Sequence, residues 1–278
     1  MKNYSRSLIA ASILLIGATF FSCEETSTPA PSIQSCNLKT IAIDFGGGIQ
    51  NISIVRNSQN QITSLESGQG PFVINYSADR AVLDVDGTKE TLFLQNDNWV
   101  KSVSETEEGN FDSTVIFTET YTPSFTGKLL TRLLTQELRE KVIRGVKSVV
   151  SLDTTITTFT YDAKENLASV TIVNDDETNS YNYSYADSVS TVATNSFIDR
   201  TFGEETLPFN LSLPILLGKV KLFKSVPSRI SLTGSASDYI NMIGIKSDGN
   251  KNLSEVTFQG FGDFDYYDET YKFTYECK

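Results

Sequence analysis

The sequence predicts an all-β fold: a curved or barrel-closed antiparallel meander with one amphipathic helical insertion. Two observations carry this. Between Thr157 and Tyr185, Phe159 and Tyr161 alternate with threonines. Asp162 to Asn166 forms a turn, Leu167, Val170 and Ile172 resume the apolar positions, and Tyr181, Tyr183 and Tyr185 alternate again. Alternation broken by Asp/Asn-rich turns marks antiparallel strands with one buried face. The same grammar recurs, degenerately, at Ile54–Leu65, Phe93–Val103, Phe159–Val170 and Ile245–Val256. The spacing is irregular, so the pattern reads as repeated hairpins in one sheet rather than a fixed-period solenoid. A long twisted sheet either exposes its edges or curls until it closes.

The chain has 278 residues, of which 39% are hydrophobic, and a formal charge of −11. That is enough apolar material for one large β domain. Residues 1–22 form an export signal: Lys2 and Arg6 precede an apolar run from Leu8 to Phe21 that is too short for an ordinary transmembrane helix. Phe20, Phe21 and Ser22 lead into Cys23, and this stretch resembles a bacterial lipobox with aromatics where leucine is usual, a departure common in Bacteroidetes-type sequences. The resemblance implies cleavage before Cys23 and a diacylglycerol on its sulfur, which with further acylation anchors a protein stably. The alternative is an ordinary signal peptide with an incidental cysteine. Glu24 and Glu25 are similar to the acidic tag of surface-exposed Bacteroidetes lipoproteins, so the expected location is the outer membrane, on the cell surface, with the periplasmic face as alternative. Residues 23–35 are rich in Ser, Thr and Pro and read as a flexible tether.

Loss of the two basic signal residues takes the charge from −11 to −13. This disfavours nucleic acid as a partner. Two cysteines remain in the domain at 36–278. Cys36 opens it and Cys277 nearly closes it. In an oxidising compartment they are expected to pair and to bring the first and last strands together, with two free buried thiols as the alternative.

Strands are expected at Leu38–Phe45, Ile52–Val55, Ile62–Leu65, Phe72–Tyr76, Ala81–Val85, Thr91–Leu94, Trp99–Val103 and Thr114–Tyr121. Asp86-Gly87 signals a hairpin turn. Gly127 to Val150 then carries Leu129, Leu130, Leu133, Leu134, Leu138, Val142 and Val146 at helical spacing, which predicts an amphipathic helix over about 126–147. Lys128, Arg132, Arg139, Lys141, Arg144 and Lys147 make it basic: the expectation is a helix packed on the sheet with its basic face in water or against acidic loops, and the alternatives are a plug or lid over a barrel mouth or a partner-docking helix. Phe197 to Pro227 forms a second insertion, apolar with prolines, either packed across the sheet or lining a cavity. Strands resume at Val220–Phe223, Arg229–Leu232, Tyr239–Ile243, Glu255–Phe258 and Tyr271–Tyr275.

Hairpins such as Phe159 to Val170 resemble the YD-type strand repeats of bacterial surface proteins. With the Cys23 lipobox, the chain resembles the uncharacterised Bacteroidetes lipoproteins with a porin-like β-fold. That resemblance implies the architecture and no activity. A membrane-spanning barrel needs a lipid-facing apolar band on every strand. Here Thr158, Thr160, Asn182, Ser184, Lys272 and Thr274 make one face polar; that face is expected outside, with the barrel standing in water, and the alternative is that it lines a lumen.

The sequence contains no histidine, which excludes His-based triads, His general bases and His metal ligands. Gly46-Gly47-Gly48 lacks the lysine of a phosphate loop and reads as a bend. Neither a catalytic residue nor a cofactor or metal site is expected. Asp248-Gly-Asn250-Lys-Asn252 has the alternating oxygens of a calcium loop without its distal Glu, and reads as a hairpin turn. Asp112, Asp153 and Asp187 each open a short motif resembling the Bacteroidetes O-glycosylation acceptor. The densest acidic and aromatic patch is Asp263, Asp265, Tyr266 and Tyr267, where rings could stack on a sugar and carboxylates could bond its hydroxyls. The expected function is a non-catalytic binding module for a glycan or small amphiphilic ligand. The alternatives are a structural lipoprotein docking an outer-membrane partner and, more remotely, a glycoside hydrolase.

Overall fold

Sixteen antiparallel strands close into one barrel, in the order β1 through β16 with β16 paired back onto β1. The computed structural model describes residues 36–277, apart from 45, 69, 86–87, 111–112, 176, 187–211, 251 and 263–267. The strands are β1 (Cys36–Asp44), β2 (Ile49–Arg56), β3 (Ile62–Ser67), β4 (Gly70–Tyr76), β5 (Arg80–Val85), β6 (Thr88–Gln95), β7 (Asn98–Asn110) and β8 (Ser113–Thr126). They continue as β9 (Leu129–Ile143), β10 (Val146–Tyr161), β11 (Leu167–Val173), β12 (Thr178–Ser184), β13 (Arg229–Leu232), β14 (Tyr239–Ser247), β15 (Leu253–Phe261) and β16 (Asp268–Cys277). The expected all-β antiparallel meander is therefore observed, and of the two forms left open it takes the closed one.

Cys36 stands directly opposite Cys277 at the start of the β1–β16 ladder, and the two are disulfide-bonded across a sequence separation of 241. The bond staples the seam that closes the sheet. It sits at one end of the barrel, with the turns 57–61, 77–79, 96–97, 127–128, 162–166 and 248–252. This is called the capped end below, and the other the rim end.

Three capped-end turns are built alike. Asn57, Asp162 and Asp248 each accept backbone N–H groups two and four residues ahead, at 2.8–3.0 Å. The side chain thus replaces a strand partner where the chain reverses. This also explains the calcium-like spacing of Asp248 to Asn252: the carboxylate serves its own turn. Tyrosines at the ends of inward rows repeat as well. Tyr76, Tyr161, Tyr185 and Tyr275 donate their phenols to the carbonyls of Ile62, Leu130, Leu167 and Leu253 at 2.6–2.8 Å. These are the aromatic strands of the degenerate repeat.

The helix expected over Gly127–Val150 is not formed. The segment is a hairpin, the 15-residue β9 and the 16-residue β10, paired along its whole length and flanked by β8. The glycines that looked like helix ends are turn residues. Gly127 (φ 61°) sits between β8 and β9, and Arg144 (φ 50°) with Gly145 (φ 80°) reverses the chain between β9 and β10, as a two-residue hairpin turn requires. The helical spacing has two sources. A register shift on β9 between Leu130 and Arg132 turns both Leu130 and Leu133 inward, three residues apart. Leu134 and Leu138 lie on the outer face of a strand that is apolar on both sides. Val220–Phe223, expected as a strand, is irregular. The only helical segment of four or more residues among those described, α1 (Ser212–Leu216), lies in the second insertion.

That insertion packs across the capped end. Leu213, Ile215, Leu216, Val220, Leu222, Phe223 and Val226 are all buried in the same core as the inward residues of the strands. Inward residues are apolar nearly everywhere: Ile41, Leu65, Ile74, Leu92, Phe159, Val170, Ile230, Val256 and Phe273. The outer wall mixes hydroxyls with exposed apolar side chains such as Val55, Val73 and Val173. Hydroxyl ladders run across it, Thr40 to Thr274 at 2.6 Å, Thr160 to Ser169 at 2.7 Å, Thr171 to Ser180 at 3.0 Å and Thr257 to Thr270 at 2.9 Å. Among the described residues no helix is long and apolar enough to cross a membrane.

Opening the seam bond should lower the unfolding free energy by about 5 kcal/mol, the chain-entropy value for so long a loop. Denaturant titration of the oxidised protein against the Cys36→Ala/Cys277→Ala variant measures this; equal midpoints would show that the ladder alone holds the seam. Tyr275→Phe should cost about 1 kcal/mol in the same titration, the net worth of one buried hydrogen bond.

Candidate functional site

An open cavity lies at the capped end, between the insertion and the strand turns. It measures about 670 Å³, within the range of small-molecule sites. Its walls are the β6–β7 turn (Asp97, Asn98), Trp99, the end of β8 (Phe125), the β8–β9 turn (Gly127, Lys128), Glu165 of the β10–β11 turn, and residues 218–224 of the insertion. Trp99, 2% exposed, meets Phe125 edge to face with centroids 6.3 Å apart. Phe223, 1% exposed, leans on Tyr183 at 5.5 Å. These rings are the apolar floor. Trp99 reaches inward because a register shift between Phe93 and Leu94 breaks the alternation of the β6–β7 ladder.

The rim of this cavity is basic. Lys128, Lys219, Lys221 and Lys224 surround it. Lys219 pairs with Asp97 and Lys224 with Glu165, which ties the insertion to two turns. Lys128 and Lys221 have no carboxylate partner among the described residues. The rim therefore carries two unneutralised cations in a chain of net charge −11.

Asn166 holds the insertion in place. It is 2% exposed, and its side-chain oxygen accepts the backbone N–H groups of Lys224 (3.1 Å) and Ser225 (2.9 Å). The backbone N–H of Leu167 donates to the Leu222 carbonyl at 3.1 Å. Sequence reading treated Asn166 as a turn residue only; its second role depends on a contact 58 residues away.

A second polar feature lies inside the barrel. Burial pushes the carboxyl of Glu119 above the ordinary glutamate range; the Tyr121 phenol opposes this and Glu137 adds to it. Burial also raises Tyr121, with Glu119, Glu90 and Glu137 all acting on its phenol in the same direction.

Of the residues proposed from sequence, Asp263, Asp265, Tyr266 and Tyr267 lie outside the described residues, as does Cys23. At the rim end, Tyr239 of β14 stacks on Phe261 of β15 at 4.7 Å and carries the Arg229 guanidinium at 3.7 Å. Among the described residues no group of three or more Asp, Glu or Cys side chains could hold a metal ion. The basic residues assigned to one helix face are dispersed. Lys128 lines the cavity, Arg132 faces outward, and Arg139 faces inward over the Phe117 ring at 5.3 Å.

Fold and site together define a class: a closed 16-strand antiparallel barrel with a porin-like fold. No family model matches the sequence, and no curated protein matches it. Solved structures do. A porin-like protein from Bacteroides vulgatus ATCC 8482 superposes with a TM-score of 0.62 at 11% identity, covering 87% of this chain and 99% of that one. A porin-like protein from Bacteroides uniformis ATCC 8492 gives 0.58 at 13% identity, covering 86% and 98%. At such identities the likeness establishes the fold.

Asn166→Ala should strip the acceptor from two buried N–H groups and cost about 1–3 kcal/mol. Hydrogen exchange should accelerate in residues 213–226 before the strands; unchanged protection there would show that Asn166 does not hold the insertion. Glu119 binds its proton more tightly folded than unfolded. It therefore stabilises the fold at low pH, and that contribution fades as pH rises from the ordinary glutamate range to the raised folded value. Glu119→Gln should be more stable than the parent at neutral pH, with the difference vanishing in acid. Denaturant midpoints across that range measure it.

Proposed function

We propose that the chain is exported, lipidated at Cys23, and held at the outer membrane with its barrel in water as a non-catalytic binding module. The ligand is a small amphiphile, taken into the capped-end cavity with its apolar part on Trp99, Phe125 and Phe223. The observation that carries this reading is the pairing of a buried aromatic floor with a lysine rim in one open cavity. The polarity of the barrel supports its place outside the bilayer: an apolar interior and a hydroxyl-rich wall are the reverse of a membrane barrel. The lack of histidine supports a binding rather than a catalytic role. Glycan binding at Asp263, Asp265, Tyr266 and Tyr267 is the other form of the binding role.

A docking role remains the second reading, moved from a helix to the tip of the β9–β10 hairpin. Ile143, Val146, Val149, Val150 and Leu152 are 46–71% exposed there, beside Lys141, Arg144 and Lys147.

The chain has one tryptophan, and it forms part of the proposed floor. A fluorescent fatty acid should bind saturably and change the Trp99 emission, and Lys128→Glu/Lys221→Glu should weaken it by about tenfold, or ~1.4 kcal/mol. Saturable binding that leaves the emission and the double variant unaffected would remove the cavity from the reading. Radiolabelled palmitate should enter the wild-type protein and not Cys23→Ala; insolubility of the unlipidated variant without detergent would overturn the water-standing barrel.

A further inference from the structure

The inward residues of β6 to β10 form a row that the strand register fixes. Glu90 stands opposite Ser104, Ser104 opposite Glu119, Glu119 opposite Glu137, and Glu137 opposite Asp153. Neighbouring strands lie ~4.8 Å apart, so the row spans roughly 19 Å in nearly even steps. It is graded in exposure: Glu90 is buried, Glu119 and Glu137 are half-buried, and Asp153 is exposed. One end is therefore within reach of solvent and the other is sealed in the barrel.

The adjacent inward row, toward the capped end, is Leu92, Ser102, Tyr121, Thr135 and Thr155. Ser102 is 0% exposed and its hydroxyl has no hydrogen-bond partner. The buried hydroxyls of Thr135 and of Thr157 nearby on β10 are also unpartnered. A buried hydroxyl without a partner is costly in an otherwise apolar interior. Three carboxylates in sequence, Glu119, Glu137 and Asp153, have no lysine or arginine within ion-pair distance among the described residues. The nearest inward cation on β9, Arg139, is turned onto the Phe117 ring.

We propose that the solvent-reached part of this row binds a linear organic oligocation, whose ammonium groups lie at about the strand spacing and bond the carboxylates of Glu119, Glu137 and Asp153 beside the buried hydroxyls. A metal ion does not fit, because the acids form a line and do not converge. A chain of ammonium groups does, since each carboxylate then gains a charge-assisted hydrogen bond. The site is separate from the capped-end cavity and does not depend on it.

Spermine is the probe, titrated calorimetrically at low salt into the folded protein. It should bind saturably at one equivalent. Glu119→Gln/Glu137→Gln should weaken it by about tenfold or more; this pair removes like charges from the interior, so the fold is retained. Glu66→Gln/Glu107→Gln, which removes the same charge from exposed positions on the outer wall, should leave the affinity unchanged. Equal loss in both variants would show diffuse attraction to an acidic surface and overturn the site, as would the absence of saturable binding to the parent protein. Fatty-acid binding, followed through Trp99, should be unaffected by either pair, which keeps this outcome distinct from failure of the cavity.

Discussion

The pairing of β1 with β16 is the constraint on which the rest of the structure depends. A sheet of this many strands left open would present two rows of unpaired backbone groups and a broad apolar face. Closure removes both edges and converts that face into an interior. The Cys36–Cys277 bond crosses the seam at its end, where a ladder frays most easily. It joins the first and last strands of the barrel, so it restrains the unfolded ensemble of the whole domain rather than one hairpin.

Closure also creates two unlike ends. Short turns, each reversing the chain around an Asn or Asp side chain, converge at the capped end, and the insertion can lie across them because Asn166 and two ion pairs bind it there. Toward the rim end, β7 to β10 run 13 to 16 residues while the other strands run 4 to 10. The barrel thus has one tall wall. Its inner surface changes from apolar to acidic along its height, and its tip exposes apolar and basic side chains. The cavity where the insertion meets the turns and the acidic row where the tall wall leaves the packed core follow from the same geometry.

The legible parts of the fold were those with a local cause. Phe159, Tyr161, Leu167 and Val170 announce a hairpin because alternation and an Asx turn are short-range features. The β9 segment was misread for an equally physical reason. Leu129, Leu130, Leu133 and Leu134 satisfy helical spacing, but a strand that is apolar on both faces and carries a register shift produces the same string. Only its neighbours decide between them, and β8 and β10 supply a continuous ladder on both sides. The cavity was hidden because its parts, Trp99, Lys128 and Lys221, come from separate segments with no shared motif. The acidic row was hidden because Glu90 and Asp153 become neighbours in one row only through four strand registers.

The sequence by itself determined the all-β class, most strand positions and the Asn/Asp turns, since each rests on residues close in the chain; the pairing of Cys36 with Cys277, expected from the compartment, is decided by the β1–β16 register. Tertiary structure alone decided that the sheet closes at sixteen strands, that residues 127–150 are strand, and which inward side chains share a row. The reason is that closure and register are set by hydrogen-bonded partners distant in sequence, whose identity no local pattern encodes.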